Sequence, residues 1–334
     1  MYEDYLLKKP VKKKSASPKA VMALCCLGII LIGVTIKPFF FRKSETPITS
    51  PLSQNQNPAE VKGVFNPLSF FITKPKIPSN ETSLMDSIKK LLATEKGFYS
   101  VYIFDLKKNK GLGINETTIL TAASVSKVPI ISSLYYLAQK GEIDLDNKIT
   151  LQDTDIQDFG TGVLRNEGAG GVYSIKTLAQ LLIQKSDNTA GYILGEQMIG
   201  FPKIQELIES WGLTQTDMLQ NKTSNKDMAI LFTKIYKGQI ANQGYTQEML
   251  GFFKDTDFEN RLPAQLPKTV PIYHKIGNEV GNVHDVGIVA LENNPYYIGV
   301  MTNDIIDIEH AEETIATISK MVFDYYFRRS STVR

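Results

Sequence analysis

The sequence predicts an α+β fold for residues 81–330: an antiparallel sheet formed from both ends of the domain, flanked by helices, with an all-helical subdomain inserted between them. Three observations carry this. Runs rich in β-formers occur at the two ends, "FYSVYIFDL" early and three more after Pro267. Between them, four segments repeat apolar residues at steps of three and four, the helical period. Strands at both ends with helices in the middle fit one sheet that unites the chain ends, and leave a cleft beside the helical part.

Leu84, Ile88, Leu91 and Leu92 recur at helical spacing, so a helix is predicted over Thr82 to Lys96, ended by Gly97. "FYSVYIFDL" reads as a strand, Lys107–Lys110 as a turn and "GLGIN" as the returning strand of a hairpin. Ser124 to Lys140 reads as a helix stopped by Gly141. "IKTLAQLLIQK", "TAGYILGEQMI", "PKIQELIESWG" and "NKDMAILFTKIYKG" are the helices of the middle. "VPIYHKIG", "VHDVGIVAL" and "YYIGVMTN" are strands, and Ala311 to Phe327 is a closing helix.

The chain has 334 residues and a formal charge of +2, room for one sizeable domain with appendages and no reason to expect nucleic acid as a partner. Residues 1–19 hold Lys8, Lys9, Lys12, Lys13, Lys14 and Lys19 and read as a basic cytoplasmic tail. "AVMALCCLGIILIGVTI" follows without a charge, and Phe39–Phe41 continue the apolar character. Crossing a bilayer takes roughly 17–25 apolar residues, and lysines before the run place the N-terminus inside. Residues 20–41 are therefore expected to be a single-pass anchor in the cytoplasmic membrane, with the rest outside. A cleaved signal has the same order, but no small-x-small site follows the run and Phe39–Phe41 are too bulky for one. Both cysteines, Cys25 and Cys26, lie in this run, so the exported part has neither disulfide nor thiol nucleophile. Leu24 stands where a lipoprotein signal needs a small residue. Residues 42–80 carry Pro47, Pro51, Pro58, Pro67, Pro75 and Pro78 among Ser, Asn and Gln, an extended spacer.

The chemistry begins at "TAASVSKVPI". Three residues apart on a helix is contact distance, so Ser124 and Lys127 meet, among Val125, Val128, Ile130 and Ile131. A lysine in apolar surroundings loses its proton more readily and can act as a base. Ser-x-x-Lys also occurs at Ser87 and Lys90, which read as a solvated face. Ser124 differs by its company: "SDN" at Ser186, Asp187 and Asn188, and Lys275-Ile276-Gly277 at a strand end.

In order and spacing these three motifs, with "LPAQLP" and "HDVGIV", resemble those of the class A β-lactamase-like serine hydrolases, relatives of the penicillin-binding D,D-peptidases. The resemblance covers the chain from about Thr82 onward. It implies Ser124 as nucleophile, Lys127 as its base and Lys275 as a neighbouring cation. Ser186 would pass a proton to the leaving nitrogen, and Asn188 would orient Lys127 and hold the substrate amide. Lys275, Gly277 and Asn278 would line the substrate side, with the N–H groups of Ser124 and Asn278 as oxyanion donors. It implies a β-lactam or a peptidoglycan peptide as small-molecule partner, a monomer, and no cofactor or metal. A D,D-peptidase is the enzymatic alternative, and an idle wall-peptide-binding domain the non-enzymatic one.

Two departures stand out. The family's Glu-x-x-Leu-Asn loop, whose glutamate activates the deacylating water, has no counterpart; "DMLQN" offers only Asp217 as a tentative base, which otherwise reads as a turn aspartate. Ile276 replaces a hydroxyl that helps bind the substrate carboxylate, and no arginine lies between Leu262 and Phe327 to supply a guanidinium.

Other signals are weaker. "FGTGVLRNEGAGG" lacks a phosphate-loop ending and reads as a flexible rim loop of the cleft. His274, His284 and His310 have no metal-ligand spacing; His274 is expected to flank the site and the other two to be structural.

Overall fold

A computed structural model of the protein describes residues 78 and 80–331; the basic tail, the expected anchor and nearly all of the spacer lie outside them. Helix α1, Glu81–Leu92, starts at a reciprocal cap in which Asn80 Oδ1 accepts from the Ser83 N–H at 2.8 Å and Ser83 Oγ accepts from the Asn80 N–H at 3.1 Å. Its apolar stripe buries Leu84 and Ile88 completely. Strand β1 is Phe98–Asp105 and β2 is Lys110–Ile114, joined as the expected hairpin. Then come β3 (Ile119–Thr121), a 3₁₀ turn (Ala123–Ser126) and α2 (Lys127–Gln139).

The middle contains β4 (Lys148–Thr150), α3 (Leu164–Glu167), β5 (Val172–Ser174), α4 (Ile175–Gln184) and α5 (Asn188–Gly191), which continues as a π-helix over Tyr192–Ile199. Helix α6 is Phe201–Ser210, β6 Lys222–Ser224, α7 Asn225–Tyr236 and α8 Gln243–Phe252. The chain closes with β7 (Ile272–Glu279), β8 (Asn282–Val289), β9 (Tyr296–Asn303) and α9 (Ile308–Ser331). Helix α8 contains Gly244 and Gly251, which blur the apolar period and hide it from a sequence reading. The three-residue strands β3–β6 and β4–β5 pair across the chain and are too short to show alternation.

The main sheet has the order β2-β1-β9-β8-β7, antiparallel throughout. The eight-residue register from Phe98↔Asn303 to Asp105↔Tyr296 unites the two chain ends, as expected. Side chains alternate in period two. Tyr297 and Met301 of β9 pack with Phe232 and Met228 of α7, whereas Ile298 and Val300 pack with Ile315 and Val322 of α9 and Leu84 of α1. Each fully buried Leu, Ile or Phe here contributes about 1.5–3 kcal/mol relative to exposure. Among the described residues no helix is long and apolar enough to cross a membrane.

The order places β7 at the sheet edge, against the 3₁₀ turn that carries Ser124. The same alternation turns Lys275 and Gly277 toward that turn and His274, Ile276 and Asn278 toward the opposite face.

Candidate active site

The Ser124 turn is held in a sparsely populated conformation. Ala123 has φ 49°, in the left-handed region that costs a non-glycine residue about 1–3 kcal/mol, and such residues cluster at functional sites. Ser124 to Ser126 is 3₁₀, where side chains three apart eclipse. The expected helix therefore begins one turn tighter than an α-helix, with Lys127 directly over Ser124. Lys127 Nζ lies 3.0 Å from Ser124 Oγ. Thr121, before the turn, is tied down by His284, whose Nε2–H donates to Thr121 O at 2.8 Å while Nδ1 accepts from the Thr302 N–H at 3.0 Å. Burial lowers His284 to about 4, the neutral form this arrangement requires.

The same amine reaches three more atoms: Ser186 O at 2.6 Å, Asn188 Oδ1 at 2.7 Å and Ser186 Oγ at 3.2 Å. Ser186 has φ 51° and so turns its carbonyl and hydroxyl to one side. Asp187 fixes this corner by capping α5 at the Ala190 N–H, 3.0 Å, while its other oxygen accepts from the N–H groups of Val163 (2.6 Å) and Leu164 (3.0 Å). The glycine-rich segment is indeed a rim of the cleft, but it is pinned rather than loose. Thr161 Oγ1 donates to Ser186 O at 2.8 Å, and Asn188 Nδ2 donates to Phe159 O at 3.0 Å. At Gly162, φ 126°, a Cβ would meet Asp187 Oδ2 at 2.3 Å, which accounts for a glycine there.

From the other side, Lys275 Nζ lies 2.9 Å from Ser186 Oγ, which makes that hydroxyl the link between two lysines. Gly277 lets β7 touch the Ser124 turn: a Cβ there would come within 3.0 Å of Ala122 O and 3.1 Å of Val125 Cγ2. Ser124, Lys127, Ser186, Asn188, Lys275, Gly277 and Asn278 are thus brought together. His274 is not with them. It is buried on the far face, where Nδ1 lies 2.8 Å from Asp285 Oδ1 and Nε2 3.3 Å from Glu259 Oε1. Burial alone would lower its pKa, but the two carboxylates outweigh this and raise it to about 9.

The cleft, about 530 Å³, is lined by Ser124, Lys127, Asn188, Asn221 and Asn278, with Phe159, Tyr192 and Val280 among its apolar walls. Asp217 is not a lining residue. Its backbone N–H and C=O pair with Lys222 at 2.9 Å each, and its Oδ1 accepts from the Gln220 N–H at 2.9 Å. This closes residues 217–222 as a tight turn, the bland reading of that aspartate. Asn221 enters the cleft from this turn, with Oδ1 buried and without a hydrogen-bond partner among the described residues. A guanidinium does lie close by, one residue outside the stretch searched in the sequence. Arg261, 1% exposed, donates to Asn278 Oδ1 at 2.6 Å, His284 O at 2.7 Å and Glu312 Oε1 at 2.7 Å. Its position beside "LPAQLP" was the only signal for it.

Burial pulls Lys127 down to about 7, with Asp187 opposing. Lys275 lies well below the ordinary lysine range, through burial and then the neighbouring Lys127 charge. Lys127 therefore owes its shift to burial rather than to Lys275 as a second cation. A neutral amine has two N–H bonds and one lone pair. Ser186 O and Asn188 Oδ1 take the two hydrogens, so the lone pair is left for the Ser124 hydroxyl. Protonation below about pH 7 removes that lone pair. Acylation of Ser124 by a neutral ester should rise through about pH 6–8 and level off above, as one macroscopic step of the lysine pair. A pH–rate profile flat across that window would exclude Lys127 as the base.

The model of the beta-lactamase enzyme family matches residues 83–326. The chain belongs to this family. The beta-lactamase VEB-1 of Pseudomonas aeruginosa is 24% identical over 290 residues, covering 78% of this chain and 96% of that one. The beta-lactamase BRO-1 of Moraxella catarrhalis is 23% identical over 284 residues, with 76% and 89% covered. The solved structure of PBP-A matches with a TM-score of 0.69 at 27% identity, covering 74% of this chain and 97% of its own. A mutant of PBP-A, solved as an acyl-enzyme complex with penicillin G, matches at 26% identity, with 74% and 97% covered and a TM-score of 0.68. The beta-lactamase fold and the serine-hydrolase class expected from the motifs are those of this family.

Proposed function

We propose that this beta-lactamase family member is a membrane-anchored, extracytoplasmic serine acyl-hydrolase. It opens a β-lactam or related amide or ester through an acyl-serine. One observation carries the reading: Lys127 Nζ is 3.0 Å from Ser124 Oγ, with its other contacts placed so that the neutral amine faces the hydroxyl. Lys127 takes the Ser124 proton as Oγ bonds to the carbonyl carbon. The N–H groups of Ser124 and Asn278 hold the oxyanion. As the intermediate collapses, the C–N bond breaks and Ser186 passes a proton to the departing nitrogen, replenished from the lysines beside it.

Penicillin-binding-protein-like action on cell-wall peptides is the second reading, favoured by the tight turn at 217–222, which offers the cleft no carboxylate from the position of the missing loop. The apolar run of 20–41, preceded by lysines, supports the anchor and the outside placement. Full-length protein treated with a fluorescent penicillin should carry the label, stay in the membrane fraction after a carbonate wash, and lose the label in Ser124→Ala. Label that persists in Ser124→Ala refutes the nucleophile; labelled protein released by the wash, or starting beyond Phe41, refutes the anchor.

A further inference from the structure

We infer that the cleft favours acyl donors carrying a cationic ammonium group over uncharged ones of the same shape, and that Glu196 is the residue that reads the cation. This rests on Ser124 being the nucleophile. Among the described residues three charged side chains line the cleft: Lys127, Glu196 and Glu279. Lys127 is buried in the floor and engaged by Ser186 and Asn188. The other two, both exposed, are carboxylates without an ion pair or hydrogen bond among the described residues. Among the described residues no cation besides Lys127 lines the cleft, and Arg165, exposed on the rim loop, is tied to Gly160 O at 2.6 Å. Lys275 is 1% exposed and turned to Ser186, and Arg261, also 1% exposed, is held by Asn278, His284 and Glu312. An ammonium carried into the cleft thus meets two carboxylates that no side chain among the described residues neutralises.

Geometry singles out Glu196. Ser186, on the proposed mechanism, protonates the leaving nitrogen, so the leaving group occupies the side of Ser186 and Lys275. The acyl chain is left with the wall formed by Ile130, Tyr192 and Phe201. Gly195 brings the π-helix tightly onto that wall: a Cβ there would lie 2.9 Å from Ile130 Cδ1 and 3.2 Å from Phe201 Cε1. Glu196 is the next residue, at the solvent edge of the same apolar strip. It is exposed, and among the described residues the turn at 217–222 contributes only Asn221 to the cleft lining. An acyl chain lying along the strip delivers a terminal cation to Glu196, with the Tyr192 and Phe201 rings as additional cation-binding faces.

The test uses the full-length protein in nonionic detergent and two p-nitrophenyl esters of equal shape. One carries a 5-(trimethylammonio)pentanoyl group, the other its uncharged isostere, 6,6-dimethylheptanoyl. Acylation is read as kcat/KM from p-nitrophenolate release, with intact mass and Ser124→Ala assigning it to Ser124. A partly exposed charge pair is modest, so the cationic ester should be favoured by about fivefold at low salt. The preference should fall to about twofold or less in Glu196→Gln and shrink at about 1 M salt. A ratio near one in the native protein, or one that Glu196→Gln leaves intact, overturns the inference while the nucleophile stands. Failure of both esters to acylate Ser124 overturns the site reading and this inference with it.

Discussion

Lys127→Ala should slow acylation of Ser124 by about 10²–10⁴-fold, the usual contribution of a positioned general base. Among the described residues no other group is placed to take over. Lys275 faces Ser186 Oγ at 2.9 Å, and the cleft carboxylates Glu196 and Glu279 are exposed on its rim. The fold should survive, since Ser186 O keeps the Thr161 hydroxyl as a donor and Asn188 lines the cleft, where water can replace the amine. The second Ser-x-x-Lys pair is the internal control. Ser87 Oγ donates to Ser83 O at 2.7 Å within α1, and Lys90 is exposed, so Ser87→Ala and Lys90→Ala should leave the acylation rate within about twofold. Stopped-flow acylation with a chromogenic β-lactam separates the outcomes. Equal losses from both pairs would mean that neither geometry selects the nucleophile.

Release of the acyl group should be slow by a comparable factor. Cleaving the acyl-serine ester needs a water aimed at its carbonyl and a base to take the water's proton. The turn at 217–222 keeps the Asp217 carboxylate on its own Gln220 N–H, and Asn221 brings only an amide into the cleft. An amide can hold a water but cannot deprotonate it. Without a general base from that turn, and with the Glu196 and Glu279 carboxylates exposed on the rim, the step forgoes about 10²–10⁴-fold. A penicillin adduct should therefore outlast removal of the drug by minutes or longer. Recovery of free enzyme within seconds would require a base, and Glu196→Gln and Asp217→Asn would identify it.

Much of the fold was legible because its determinants are local and periodic. The helix from Leu84 to Leu92 and the three late strands show their buried faces directly in the spacing of apolar residues. The site was legible through order: Ser124, Ser186 and Lys275 are far apart in sequence, yet each sits in a short motif. What stayed hidden depends on tertiary contact. The apolar residues of "YHKIG" do not reveal that His274 and Lys275 point to opposite faces; edge placement and alternation in the folded sheet decide that. The grip of the Thr161 hydroxyl and the Asp187 carboxylate on the cleft rim is exerted on backbone groups, which composition does not reveal. Arg261 was missed because a charged side chain preceding a Pro-rich loop reads as solvated until its three acceptors are seen. The cysteine pair and the apolar run of 20–41 lie outside the described residues.

The central claim is that Ser124, and no other serine, receives the acyl group and keeps it. The direct measurement is peptide mapping by mass spectrometry after brief exposure to excess penicillin and removal of the drug. Trypsin yields the peptide Gly111 to Lys127, which contains both Ser124 and Ser126, and fragmentation separates them. The account predicts one equivalent of opened penicillin on Ser124, still present minutes after drug removal and absent in Lys127→Ala at the same exposure. Mass on Ser126 or Ser87, or on Ser124 at an undiminished rate in Lys127→Ala, would contradict it.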